Sequence, residues 1–205
     1  MPDNNATRLG EVVETSTTGF AAQCYQLYGA PPLGALVKAG GPYPAYGIVH
    51  QVSTQGIDPS RRPMTRGVDE ATEEDVYRSN PQLEHLLRTD FQAVIVGHSG
   101  DDDPDKYGTF RLRYHLPPVP PPIYAFVHAC GVEEVRLFTS NPAFLRPLAT
   151  SSIAALEEVV AACLRYVAPV QEDPEGFLTV VGKQLAGFFP GDFRRVEAIL
   201  QRAAP

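Results

Sequence analysis

The sequence predicts an α+β protein: a small closed antiparallel β-barrel of about six strands, followed by an α-helical C-terminal region. Three observations carry this. Short apolar segments with Gly and Pro punctuation fill residues 8–116. Five prolines then crowd into "LPPVPPPIYAF". Beyond them the hydrophobic period changes from two to about 3.6.

The strands come in order. "LGEVVETS" and "TTGFAAQCYQLY" form a pair around a Thr18-Gly19 turn. "GALVKAG" is entered through Ala30-Pro31-Pro32, and Gly40-Gly41-Pro42 turns the chain into "AYGIVHQVST". Residues 58–90 interrupt the pattern as an ordered excursion. Pro59 and Pro63 lack amide protons and exclude a central strand there. Asn80 and Pro81 read as N-cap and first position of a short helix with Leu83, Leu86 and Leu87 on one face. "FQAVIVGHS" is a buried strand. "TFRLRYHL" alternates, with Phe110, Leu112, Tyr114 and Leu116 opposite Arg111, Arg113 and His115.

The barrel is thus expected over residues 7–116, a Pro-rich linker over 117–123, and a mainly helical region over 124–205. "IYAFVHACGVEEVRLFT" reads as a strand passing into a short helix. Three amphipathic helices follow. Their stripes are Ile153, Leu156, Val160, Cys163, Leu164 and Val167; then Phe177, Val180, Val181, Leu185, Phe188 and Phe189; then Phe193, Val196, Ile199 and Leu200. Asp173 with Pro174, and Asp192, are the expected starts of the last two.

The chain of 205 residues is 43% hydrophobic and 20% charged, a globular balance with a sizeable core. Its net charge of −7 argues against avid nucleic-acid binding, because phosphate contacts need a basic footprint. The N-terminus shows no apolar h-region, and no apolar run approaches the ~18 residues of a membrane span, so a cytoplasmic protein is expected. Cys24, Cys130 and Cys163 are widely spaced and odd in number, which suits buried reduced thiols better than a metal site or disulfides.

Motif by motif, the chemistry is sparse. "GFLTVVGKQL" departs from a phosphate loop, with five residues between Gly176 and Gly182 and Gln184 where Ser or Thr must bind magnesium. Asp101, Asp102, Asp103 and Asp105 resemble a calcium loop, but Lys106 and Leu112 occupy the positions of its Gly and Glu. A solvated hairpin tip is expected instead. No cofactor is called for. His128 and Cys130 would face the same way on a strand, the start of a nucleophile pair that needs an orienting third group.

The passage "RRPMTRGVDEATEEDVYRSNPQL" admits two readings. One is a connector whose arginines pair with Glu70, Glu73, Glu74 and Asp75. The other is a docking surface built from Arg61, Arg62, Arg66, Arg78 and Asn80, stiffened by Pro63, Gly67 and Pro81.

"RLGEVVETSTTGFAAQCYQL", "RRPMTRG", "YRSNPQLEHLLRTDFQAVIVGH" and "FLTVVGKQLAGFFPGDFRRVEAIL" resemble the small stand-alone HAS-barrel proteins. That barrel is shared by HerA-type DNA translocases and ATP synthase subunits. The resemblance implies a six-stranded barrel which, in those motors, sits at the amino end of a ring-forming subunit and helps join neighbours. It gives this chain no ATPase residues, since the phosphate loop is absent. The expectation is therefore a non-enzymatic accessory or assembly protein that docks on a protein partner, such as a HerA-like ring ATPase, or self-associates. The alternative is a nucleic-acid-binding barrel using Arg111, Arg113 and His115. The third is a hydrolase whose site is not recognisable by motif.

Overall fold

The computed structural model describes residues 7–58, 60, 62–100 and 111–203. Seven strands make one antiparallel sheet: β1 (Arg8–Thr15), β2 (Gly19–Cys24), β3 (Leu36–Ala39), β4 (Ala45–Gly56), β5 (Leu87–Ser99), β6 (Leu112–Arg113) and β7 (Phe126–Ala129). The order is β2-β1-β7-β3-β4-β5-β6, and β2 also pairs with β5. Six strands therefore return to their starting point as a ring, with β6 appended outside it.

The ring is not complete before the prolines. β7 lies beyond them and fills the gap between β1 and β3, pairing Val127 with Gly10 and with Ala39. The Pro-rich stretch at 117–123 therefore does not divide a sheet region from a helical one. β1 and β3 are each satisfied on one side by β2 and β4, so their other edges require a strand between them. Arg8 places its guanidinium 3.8 Å from the Phe126 ring centre across that junction. The expected strand ending at Leu116 is shorter than its alternation suggests. Its ladder stops at Arg113, because Tyr114 turns inward and donates its hydroxyl to the Phe138 carbonyl at 3.0 Å.

Two cores account for the continuous apolar runs. Val12, Phe20, Ala22, Val37, Val49, Phe91, Ala93, Ile95 and Val127 fill the ring. Their neighbours Leu36, Ile48, Val94 and Val96 face outward, onto the helices. β3, the first half of β4 (residues 45–49) and the second half of β5 (residues 93–99) are buried on both faces, so these stretches do not alternate with polar residues.

The helices are α1 (Glu73–Ser79), α2 (Leu83–Leu86), α3 (Val132–Thr139), α4 (Leu145–Ala149), α5 (Leu156–Val167), α6 (Pro174–Phe188) and α7 (Phe193–Ala203). Asp173 accepts from the Gly176 amide at 2.9 Å and Asp192 from that of Arg195 at 3.2 Å, as their sequences predict. Phe138, Phe144, Leu145, Leu164, Leu185 and Ile199 share one core with the outer face of the sheet. At Gly34, with φ of +83°, an added Cβ would stand 2.4 Å from the Ala162 carbonyl carbon, so the loop before β3 touches the α5 backbone. Two stripe residues are corrected. Phe193 is 74% exposed and Val180 46% exposed. Phe193 opens its helix one turn ahead of the buried Val196 and Ile199, and Val180 lies beside the buried Val181 rather than on its face.

Asn80 is corrected too. It closes α1 rather than opening the next helix, its amide bonding the Tyr77 carbonyl, and Gln82 precedes α2. The cause is α1 itself, which the acidic run conceals. Thr72 accepts from the Asp75 amide at 3.2 Å and donates to its carboxylate at 2.7 Å. Thr72 is thus the N-cap of α1, with the acids placed at the positive end of the helix.

Candidate docking groove

Residues 57–86 leave the end of the β4–β5 ribbon and return to it. Several bonds brace them. The Tyr28 and Tyr77 hydroxyls share a hydrogen bond, with their rings edge-on at 6.2 Å. That sharing pushes the Tyr77 hydroxyl up to about 12. The Tyr28 amide donates to Thr89 Oγ1 at 2.8 Å, and Thr89 bonds Thr54 at 2.8 Å across the ribbon. At Gly67 an added Cβ would stand 2.9 Å from Val76 Cγ2, so this stretch lies close against α1.

The folded excursion encloses a groove of about 550 Å³. Ile57, Met64, Leu83 and Leu86 supply apolar walls, and Arg62 and Arg66 supply cationic groups. Met64 is 79% exposed and Leu86 49% exposed. An apolar hollow with a few convergent polar groups is the usual form of a recognition site.

The five residues proposed for docking fare differently. Arg62 and Arg66 line the groove. Arg66 Nη1 donates to Asn80 Oδ1 at 3.1 Å, and Asn80 Nδ2 donates to the Val76 carbonyl at 3.0 Å. Asn80 thus positions Arg66 against α1. Arg78 pairs with Asp75 within its own helix. That is the one pairing of the connector reading that forms among the described residues. Arg62 makes no ion pair among them, and Arg66 takes a neutral amide rather than a carboxylate. Arg61 lies outside the described residues. The sequence shows Leu83 and Leu86 on one helix face but not that Ile57 and Met64, some twenty to thirty positions earlier, join them in one apolar lining.

Arg111, Arg113 and His115 do not share a strand face. Only Leu112–Arg113 is strand, and His115 turns edge-on to His98 with ring centres 5.0 Å apart. His98 is buried, and burial lowers its proton affinity. Tyr114, between Arg113 and His115, packs on Phe138 with ring centres 5.2 Å apart. Phe110 and the acidic run Asp101–Asp105 lie outside the described residues.

His128 and Cys130 do acquire a neighbouring carboxylate, Glu134. It works against nucleophilic chemistry. Cys130 is 6% exposed. Burial first, and then the charge of Glu134, hold its thiol well above its ordinary range. An activated thiol needs the reverse shift. Glu134 is instead engaged by Lys38, both oxygens at 2.7 Å, and by the Tyr46 hydroxyl at 3.0 Å. This group ties α3 to β3 and β4. Cys24 and Cys163 are buried free thiols as well.

No helix among the described residues is long and apolar enough to cross a membrane. No protein-family model matches the chain, and no curated protein matches its sequence.

Proposed function

We propose that this chain is a HAS-like barrel module with no chemistry of its own, which docks on a protein partner such as a DNA-processing ring ATPase. The observation that carries the reading is the groove. Two arginines stand at a braced, partly apolar hollow whose lining also includes Asp58, and neither forms an ion pair among the described residues, although the same excursion is rich in acids. A connector would satisfy such cations locally, whereas a docking site leaves them for a partner. The ring of six strands supports the barrel assignment, and the excursion rises from the end of its longest ribbon. The high thiol of Cys130 supports a role without covalent catalysis.

The test is capture from native cells with the tagged full chain, comparing wild type with Arg62→Ala/Arg66→Ala. A stoichiometric protein partner should be recovered with wild type and fall at least tenfold with the variant, while circular dichroism stays unchanged. Equal recovery by both proteins, or no stoichiometric partner at all, overturns the proposal.

A further inference from the structure

β4 carries an unused edge. β3 pairs with it over Ala45–Ile48, and the last bonds on that side join Val49 to Ala35 and Gly34, at 3.0 and 2.8 Å. From His50 to Gly56 the backbone of β4 is bonded to β5 alone among the described residues. Half of its amides and carbonyls therefore point outward without a protein partner among the described residues. Sheets usually guard such an edge with lysine, proline or a bulge. A bulge lies between Val49 and Gln51, but residues 50–57, "HQVSTQGI", hold no charge and no proline. Gln51, Val52, Thr54 and Gln55 are exposed. This edge leads directly into the groove, whose lining begins at Gly56 and Ile57.

An open strand edge complements only another extended backbone. The apolar walls call for a hydrophobic side chain. Arg62 and Arg66 call for carboxylates, which guanidinium groups engage bidentately. We infer that an acidic, extended segment of the protein partner adds as a strand to His50–Gly56, seats an apolar side chain in the groove and pairs its carboxylates with Arg62 and Arg66. The edge is seven residues long, roughly 23 Å at the usual strand rise. Alternation along the added strand would place every second side chain on the groove side, so the segment should alternate between recognised and tolerant positions. A second copy of this chain suits the site poorly, because its own β4 brings no carboxylate and each copy carries −7. A nucleic acid strand lacks the amide backbone the edge requires.

This inference rests on the docking reading and makes it chemically specific. The test is selection of displayed random heptapeptides on the immobilised full chain, followed by affinity measurement of the enriched peptides. Peptides with acidic and apolar residues are expected. Their affinity should fall at least tenfold on Arg62→Glu/Arg66→Glu, and on Arg62→Ala/Arg66→Ala as the milder variant, with melting temperatures unchanged. N-methylation of single backbone amides in the peptide should abolish binding at alternating positions and be tolerated between them. Failure to enrich any peptide, enrichment without acids, indifference to both arginine variants, or uniform tolerance of N-methylation overturns the inference. The docking reading survives those outcomes if native capture still depends on Arg62 and Arg66. It falls separately if that capture fails.

Discussion

Phe138→Ala should loosen ring and helices together. Phe138 sits on α3, is fully buried, and stacks on Tyr46 of β4 with ring centres 4.6 Å apart and planes at 29°. It also meets Tyr114 at 5.2 Å and Phe144 at 6.3 Å. Its ring edge would lie 3.0 Å from a Cβ at Gly97, so it lies directly over the β5 backbone. Truncating a buried phenylalanine costs about 3–5 kcal/mol through lost transfer energy and the cavity left behind. Aromatic pairs add about 0.5–1.5 kcal/mol each beyond area, which places this residue at the upper end, about 4–5 kcal/mol. A domain holds about 5–15 kcal/mol in total, so the variant would be marginal. Urea unfolding read by far-ultraviolet circular dichroism and by tyrosine emission checks it. There is no tryptophan to mask Tyr46 and Tyr114. Both signals should move to lower urea together and remain coincident, because one core joins α3 to the sheet. A loss below about 1 kcal/mol would refute the packing argument. A helical transition that shifts alone, leaving the tyrosine transition in place, would refute the shared core.

Other outcomes follow from single contacts. Gly34→Ala should destabilise by more than about 2 kcal/mol, since a left-handed residue with a Cβ costs roughly 1–2 kcal/mol before its clash with the α5 backbone is added; an unchanged melting temperature would contradict the close approach. Ellman's reagent should find no fast thiol in the native protein and three in urea, because burial pushes Cys24 up to about 11, Cys163 up to about 12 and Cys130 well above its ordinary range; rapid reaction of Cys130 would revive a nucleophile beside His128. Burial lowers the proton affinity of His50, His98 and His128 in the fold. Below the unfolded value of about 6.5 the unfolded chain then binds protons that the folded chain refuses, so stability should fall as pH drops from about 6.5 and be unaffected by these groups above it. Melting temperatures from neutral pH to about 5.5 should decline, with a shallower slope in His98→Gln; a flat profile would show that the three rings stay accessible.

Much of the architecture is local and was legible. Strand segments β1 to β4 and the body of β5 stand where alternation, apolar runs and Gly/Pro punctuation place them, while residues 87–90, expected in the excursion with Leu87 on its helix, instead extend β5 in pairing with β4. α5, α6 and α7 follow their stripes, with Asp173 and Asp192 capping as their spacing demands. The arginine cluster and its rigid punctuation also mark the excursion before any fold is known. Four things are decided only by long-range structure. β7 and the α3 that follows it stand where "IYAFVHACGVEEVRLFT" reads as a strand passing into a helix, but the place of β7 in the sheet is specified only by the vacant edges of β1 and β3. The ring closes because β2 meets β5 some seventy residues away, a pairing no local window contains. Asn80 is a cap at the end of α1 and not at the start of α2, since the N-cap at Thr72 opens a helix within the acidic run. The groove joins Ile57 and Met64 to Leu83 and Leu86 only after the ribbon brings both ends of the excursion together. Periodicity reports which face of an element is buried, while pairing partners and site linings depend on which elements meet, and that is set by the unfilled edges and apolar faces of the whole chain.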